Sequence, residues 1–352
     1  MTGSWCMPVR LHFGAGCTAL LPDWLAGRPA VVLAFAQAES LGAREHLQAL
    51  LGPQLQAWLP APDGLATLDA ARGLAHALWP LLERDHALVA LGGGSVMDLA
   101  KWLRYRPEGG FGALLAALHE QQRPPQAAQV HPLALLPTTA GTGSEVSRSA
   151  TLWDARQRRK LSLNDAWADL ALVDPNWTRS LPASITLDAG LDALAHALEA
   201  LWNRAAQPIT DALAQAAARS LLDALPRLMA APQDAELREQ VSAAALQAGL
   251  AMGQTRTAIA HALSYELTLT QGLAHGRACA YWLPRAWRAA QQHDVHLDAR
   301  LHALLPGGAA ALAAWLHRLG VSCAEIEPAA DDGSWQAALR SERGRNFIGA
   351  PA

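Results

Sequence analysis

The stretch Ala87-Leu88-Val89-Ala90-Leu91-Gly92-Gly93-Gly94-Ser95-Val96-Met97-Asp98-Leu99-Ala100-Lys101 runs five apolar residues into three glycines and then into a helical pattern. A short apolar run bounded by turn residues reads as a buried strand of a parallel sheet. The three glycines then form a strand-to-helix turn. Glycine lets backbone N–H groups approach a phosphate closely, and the following helix N-terminus adds partial positive charge. A pyrophosphate fits such a turn. The plainer alternative is that Ser95 and Asp98 form an S-x-x-D capping box and the glycines only make the bend tight. The spacing is neither G-x-G-x-x-G nor G-x-x-x-x-G-K-[ST], so the two common nucleotide fingerprints are absent.

Working outward, Pro29–Phe35 and Pro132–Leu136 are further buried strands, and Leu170–Val173 is a last one, ending at Asp174-Pro175. Ala43–Leu51 and Leu65–Leu82 carry apolar residues at helical spacing with charges opposite, as crossover helices do. Strand and helix thus alternate to about residue 180, the mark of an α/β fold. A second small-residue turn, Pro137-Thr138-Thr139-Ala140-Gly141-Thr142-Gly143-Ser144-Glu145, follows the third strand. Its hydroxyls can reach ribose or phosphate oxygens at strand ends, where open α/β sheets bind ligands, although such clusters are also ordinary loop material.

After Leu181-Pro182 the texture becomes alanine- and leucine-rich: Thr186–Trp202, Ile209–Met229 and Ala235–Met252 read as helices, punctuated by Pro208, Pro226 and Pro232. Gly276–Gln292 and Gly308–Leu319 read as two more. The expected division is an α/β dinucleotide-binding domain over 1–180 and an all-helical metal and catalytic domain over 181–352. The tail from Ala329 has no clear pattern.

Composition narrows the function classes. With 51% hydrophobic and 17% charged residues among 352, disorder is excluded. A net charge of −3 without a long basic run argues against nucleic acid. The N-terminus lacks a basic region followed by an apolar one, and no window nears 18 uninterrupted apolar residues, so a soluble, cytoplasmic chain is expected. Cys6, Cys17, Cys279 and Cys323 form no CxxC pair, which speaks against a disulfide framework and a thiolate zinc site. Thirteen histidines, against 3 tyrosines and 4 phenylalanines, invite a search for metal ligands.

Gly190-Leu191-Asp192-Ala193-Leu194-Ala195-His196-Ala197-Leu198-Glu199 places Asp192 and His196 at i and i+4 on one helix face, a geometry suited to one ion. His261 and His275 follow, the latter at a turn. Three imidazoles and a carboxylate suit Fe2+ or Zn2+ rather than Mg2+ or Ca2+. A single histidine in such a chain is more often a satisfied core or surface residue, and the other ten are read that way.

In that order, the glycine turn, the PTTAGTGSE turn, the GLDALAHALEALW helix and the two later histidines resemble the iron-containing (group III) alcohol dehydrogenase family, over roughly residues 10 to 290. The resemblance implies a Rossmann-like parallel sheet followed by an all-helical domain, the dehydroquinate synthase-like architecture. It implies Gly92, Gly93, Gly94 and Ser95 at a nicotinamide dinucleotide pyrophosphate and Asp98 near the nicotinamide. Thr138, Thr139 and Thr142 would line the nucleotide and Lys160 its ribose or phosphate. The implied metal ligands are Asp192, His196, His261 and His275, holding Fe2+ or Zn2+, in a homodimer that engages neither membrane nor nucleic acid. The family's relay histidine, four residues after His261, is Tyr265 here, so Tyr265, water or the ribose must pass the proton. Ala34–Ser40 has only Glu39 as an acidic residue, which leaves NADH and NADPH equal.

The pieces Ser147–Asp154, Lys160–Leu163, Glu199–Asn203 and His261–Tyr265 resemble the phosphonoacetaldehyde reductase branch, whose members form 2-hydroxyethylphosphonate. Arg148, Arg204, Arg256 and Arg277 are then candidate phosphonate donors, Arg148 and Arg256 foremost, with solvated surface charge as the plainer reading. Another small aldehyde or alcohol is the alternative substrate. A metal- and NAD-dependent cyclase of the dehydroquinate synthase kind, or a binding protein with a decayed site, are the rivals.

Overall fold

The computed structural model describes residues 4–121, 123–125, 128–154, 156–157, 159–325 and 333–351. Part of the tail from Ala329, and the first three residues of the N-terminal stretch, lie outside the described residues. The chain divides into two compact units: Met7–Thr139 with Ser144–Ser180, and Met1–Cys6 with Ala140–Gly143 and Leu181–Ala352. Among the described residues no helix is long and apolar enough to cross a membrane.

Among the described residues the first unit holds ten strands, β1 (Arg10–Phe13), β2 (Ala30–Ala34), β3 (Leu55–Pro60), β4 (Ala87–Gly92), β5 (Tyr105–Pro107), β6 (Ala128–Val130), β7 (Leu133–Pro137), β8 (Ala150–Asp154), β9 (Arg159–Leu163) and β10 (Leu170–Val173). Six form one sheet in the order β1-β10-β7-β4-β2-β3, every pairing parallel. The pairs β5-β6 and β8-β9 are separate antiparallel ribbons. Its helices are α1 (Leu21–Leu25), α2 (Ala43–Leu51), α3 (Leu68–Leu78), α4 (Gly94–Leu103) and α5 (Gly110–Gln121).

Strand periodicity divides the core. Val31, Leu33, Leu88, Ala90, Leu133 and Leu135 face one cluster with α3 and α4, while Ala30, Val32, Ala87, Val89, Ala134 and Leu136 face another with α1 and α2. Both sheet faces are covered, so the inner strands read as unbroken apolar runs. The edge strands β1 (RLHF) and β3 (LQAWLP) are partly exposed, carry polar residues, and were not legible as strands for that reason. The chain leaves β2 toward β3 but leaves β4 toward β7, so the direction of winding reverses between β2 and β4. Carboxyl ends of strands at such a reversal are where open α/β sheets take ligands.

The second unit comprises α6 (Ala183–Leu201), α7 (Pro208–Ala230), α8 (Ala235–Thr255), α9 (Ile259–Gln271), α10 (His275–Gln291), α11 (Val295–Leu304), α12 (Gly308–Arg318) and α13 (Gly333–Arg340). Helix α6 packs against α7, α8 and α10 and is buried on nearly every side from Thr186 to Leu201, as an all-round apolar helix requires. Helix α9 lacks the alanine-leucine texture of its neighbours and was not delimited by sequence.

One proline departs from its expected punctuating role. Pro208 starts α7, but Pro226 sits inside it. Proline cannot donate to the carbonyl four residues back; here that carbonyl, Leu222 O, accepts from the indole Nε1 of Trp315 on α12 at 3.0 Å. A tertiary donor replaces the missing helical one. Trp315→Phe is therefore expected to cost about 1–3 kcal/mol by stranding a buried carbonyl, and adding Pro226→Ala should recover part of the loss by restoring the helical N–H. Equilibrium unfolding of the two variants checks this; no recovery in the double variant refutes the explanation.

Candidate functional site

The glycine turn is built at the end of β4. Gly92 closes the strand, Gly93 is the N-cap of α4 and the helix begins at Gly94. A Cβ on Gly92 would lie 2.6 Å from Val96, and one on Gly93 would lie 3.2 Å from Thr139, so both positions are held small by their neighbours. Gly92 O accepts from Thr138 N at 3.0 Å, which joins the two turns edge to edge.

The capping-box alternative fails. Ser95 lies inside the first helical turn, no side chain caps α4, and both Asp98 oxygens are engaged elsewhere. Ser144 Oγ donates to Asp98 Oδ1 at 2.7 Å and Thr151 N donates to Oδ2 at 2.9 Å. One helical turn on, the buried Lys101 donates from Nζ to Ser147 O (2.8 Å) and Ser149 O (3.1 Å). Asp98 and Lys101 thus tie α4 to the chain that follows the second turn. Burial brings the Lys101 ammonium down to about 8 and pushes the buried Glu145 up to about 6, with Lys101 partly opposing the second shift.

Thr138 and Thr139 stay with the sheet, whereas Thr142 belongs to the helical unit. Gly141 and Gly143 are glycines of necessity: a Cβ would meet Ala189 O at 2.7 Å and Gly249 Cα at 2.5 Å, and Gly143 has φ +62°. Lys160 Nζ sits 4.8 Å from the Trp153 ring centroid on the β8-β9 ribbon. Glu39 pairs with Arg44 at 2.6 Å, while Gln37 donates to both oxygens of Asp63 at 3.0 Å.

In the helical unit the four expected ligands converge. Asp192 Oδ1 lies 3.9 Å from His196 Nε2, 3.4 Å from His261 Nε2 and 3.8 Å from His275 Nε2. Asp192 and His196 stand one turn apart on α6, His261 is in the first turn of α9, and His275 opens α10. The His196 and His261 rings stack at 4.7 Å. Gly276 permits the approach, since a Cβ there would fall 1.8 Å from Asp188 O on α6.

The residue that sequence reading passed over is Glu199. Its Oε2 accepts from His261 Nδ1 and from Ala258 N, both at 2.7 Å, and its Oε1 accepts from Ala260 N at 2.6 Å and His261 N at 3.2 Å. It is fully buried. This carboxylate caps α9, which has no cap of its own, and fixes the imidazole with Nε2 toward Asp192. The signal was present: Asp192, His196 and Glu199 stand at i, i+4 and i+7, one polar stripe in a segment, Leu191–Leu201, otherwise made of alanine and leucine.

The electrostatics call for a cation. Burial opposes charge on Asp192, His196 and His261, yet His196 and the other imidazoles hold Asp192 well below the usual carboxylate range. Burial likewise opposes an imidazolium at His261, but Cys279, Glu199 and Asp192 together raise it well above an ordinary imidazole. Asp192 Oδ1 and His261 Nε2 are buried without a hydrogen-bond partner among the described residues. A carboxylate with imidazoles around such orphaned atoms fits a borderline divalent ion.

Cysteine had been set aside for want of a CxxC pair, yet Cys279 adjoins this group, one turn past His275 on α10 with Sγ 3.8 Å from His275 Nε2. Tyr265 is half-buried, its ring nearly parallel (8°) to that of His275 at 6.4 Å, with the Arg343 guanidinium 5.3 Å from its centroid. Three of the four candidate anion-binding arginines are already engaged. Arg148 pairs with Asp165, Arg204 donates to Ala350 O, and Arg277 pairs with Asp188 at 2.5 Å. Arg256 is exposed, at φ +67°, with no side-chain partner among the described residues.

Comparison with known proteins now adds the lineage. Residues 8–175 match the iron-containing alcohol dehydrogenase family and residues 186–330 its C-terminal region. A probable alcohol dehydrogenase EutG of Salmonella typhimurium is 32% identical over 287 residues, spanning 75% of this chain and 70% of that protein. The chain belongs to the iron-containing alcohol dehydrogenase family. A phosphonoacetaldehyde reductase of Streptomyces viridochromogenes is 35% identical over 231 residues, covering 64% of this chain and 58% of its own. A sulfoacetaldehyde reductase of Bifidobacterium kashiwanohense, solved with NAD+, shares the fold at TM-score 0.86 and 24% identity, with 99% of this chain and 95% of that one covered. The chain spans about half the length of some curated relatives it matches, 50% in one instance and 58% in another.

The buried carboxyl beside the second turn gives a pH test. Glu145 has a folded pKa above its ordinary 4.5, so the native state binds the extra proton and its stability falls as pH rises between about 4.5 and 6. Glu145→Gln should remove a drop of about 2 kcal/mol across that window. Unfolding midpoints of both proteins at pH 4 and pH 7 measure it, and parallel curves count against a buried, neutral Glu145.

Proposed function

We propose that the chain is a metal- and nicotinamide-dependent aldehyde reductase, acting reversibly as an alcohol dehydrogenase. The convergence of Asp192 Oδ1 with three imidazole Nε2 atoms, at 3.4 to 3.9 Å in a buried setting, is the observation that carries this reading. Asp192, His196, His261 and His275 would hold Fe2+ or Zn2+, whose availability decides between them. Gly92, Gly93, Gly94 and Ser95, with Thr138, Thr139, Thr142 and Lys160, would hold NADH or NADPH. When bound, the metal polarises the carbonyl oxygen as a Lewis acid and the reduced nicotinamide supplies the hydride.

The chain's own residues do the remainder. Glu199 holds the His261 tautomer that leaves Nε2 free to coordinate. The backbone amides at the α4 N-terminus bind the dinucleotide's phosphates, and Asp98, held by Ser144 and Thr151, braces that helix near the nicotinamide. Tyr265 takes the place of the relay histidine: its phenolic Oη holds the proton that completes the alcohol.

For the substrate we favour a small aldehyde bearing an anionic group, phosphonoacetaldehyde first. The 35% identical relative supports this, as does an exposed Arg256 able to meet an anion. Arg148, paired with Asp165, is better suited to shaping the β8-β9 region than to binding phosphonate. The cytoplasm, with a homodimer as the working form, completes the reading.

The test follows nicotinamide absorbance with metal-loaded protein and a panel of aldehydes. Phosphonoacetaldehyde should be turned over with a higher kcat/KM than propanal, and Arg256→Ala should raise KM for it alone. Equal turnover of the two aldehydes would sink the substrate assignment but not the reaction. His196→Ala and His261→Ala should lose tight metal binding and turnover together; a metal-free, fully active double variant overturns the mechanism. Glu199→Gln is expected to weaken metal affinity by about 10–100-fold while keeping the aspartate and histidine ligands, as read by competition with a chromogenic chelator. Unchanged affinity would leave Glu199 a helix cap only.

A further inference from the structure

The helical unit places a soft donor beside three of the four expected ligands, Asp192, His261 and His275. Cys279 is fully buried and follows His275 by four residues on α10, which sets both side chains on one face. One ligand atom each from Asp192, His261, His275 and Cys279 lies within 4.8 Å of all the others. Two of these atoms, Asp192 Oδ1 and His261 Nε2, are the buried ones without a hydrogen-bond partner among the described residues. The thiol therefore borders the same point at which the unsatisfied oxygen and nitrogen converge. Cys279 is thus a member of the apolar core of the helical unit that also stands within the ligand group.

Resting on the metal reading above, we propose that Cys279 gives its Sγ to the same divalent ion as Asp192, His261 and His275, making a mixed oxygen, nitrogen and sulfur centre. Binding displaces the thiol proton to solvent, since the thiolate is the ligand form. Sulfur softens the site and shifts its preference from Fe2+ toward Zn2+.

Zinc K-edge X-ray absorption on the full chain, loaded with Zn2+ alone, reads the shell directly. The expected spectrum has a sulfur scatterer at about 2.3 Å beside nitrogen and oxygen at about 2.0–2.2 Å. Cys279→Ser should lose the sulfur shell while retaining zinc, and Cys279→Ala repeats the test without a new hydroxyl. With Co2+ in place of zinc, the near-ultraviolet sulfur-to-cobalt charge-transfer band should vanish in the same variants. A wild-type shell of nitrogen and oxygen only, with zinc retained, overturns the Cys279 ligand and leaves the site of Asp192 and the histidines standing. A sulfur shell that persists in Cys279→Ser overturns it as well. Protein that retains no zinc overturns the metal site itself, and Cys279 with it.

Discussion

The helical unit depends on a buried carboxylate that does two jobs at once. Glu199 reaches from the last turn of α6 to the first turn of α9, where it accepts three backbone N–H groups and the His261 Nδ1 proton. A helix N-terminus leaves its first N–H groups without intrahelical partners, and a negative charge there is favoured by the helix dipole. A neutral cap would satisfy the amides but would hold the imidazole less firmly. With the carboxylate in place, capping α9 and aiming His261 at Asp192 become one event, so the fold of this region and the geometry of its ligands cannot be separated. Each buried donor left unmatched costs about 1–3 kcal/mol, which makes this junction an expensive one to rearrange.

The α/β unit solves a comparable problem with opposite charges. The chain that leaves the second turn is fixed by α4. Lys101 gathers the carbonyls of Ser147 and Ser149, and Asp98 gathers Ser144 and Thr151. An ammonium and a carboxylate one helical turn apart thereby pin the chain that leads into β8 and the start of that strand. Burial strains both charges, pulling the lysine down and pushing the aspartate up, and each is the other's main counterweight. Asp98 was expected beside the nicotinamide, and its two hydrogen bonds give it a structural occupation in addition.

Much of this was legible from residue order. The inner strands announce themselves because a parallel sheet covered on both faces must be apolar on both, and β2, β4, β7 and β10 fall within a residue or so of their expected spans. The glycine turn and the Asp192-His196 pair were visible for the same reason: close approach and shared helix faces follow from short-range spacing. What escaped reading has a common cause. Edge strands β1 and β3 expose one side and dilute their pattern, and Pro226 looked like punctuation because its compensating donor, Trp315, is 89 positions away in sequence. Glu199 and Cys279 were in plain view as letters, but a carboxylate on a helix and a lone cysteine have no meaning until another helix is brought against them.

Sequence alone therefore determined the order of elements, the two glycine-rich turns and the residue types that converge around Asp192, because hydrophobic periodicity, turn chemistry and helical spacing are local properties of the chain. Tertiary packing alone decided that Glu199 orients His261, that Cys279 stands beside Asp192, His261 and His275, and that three of four candidate arginines are spent on partners within the chain. These depend on which surfaces of α6, α9 and α10 meet. A gap of 60 or 80 residues leaves no trace in local spacing, and only the buried contact between helices turns distant side chains into one site.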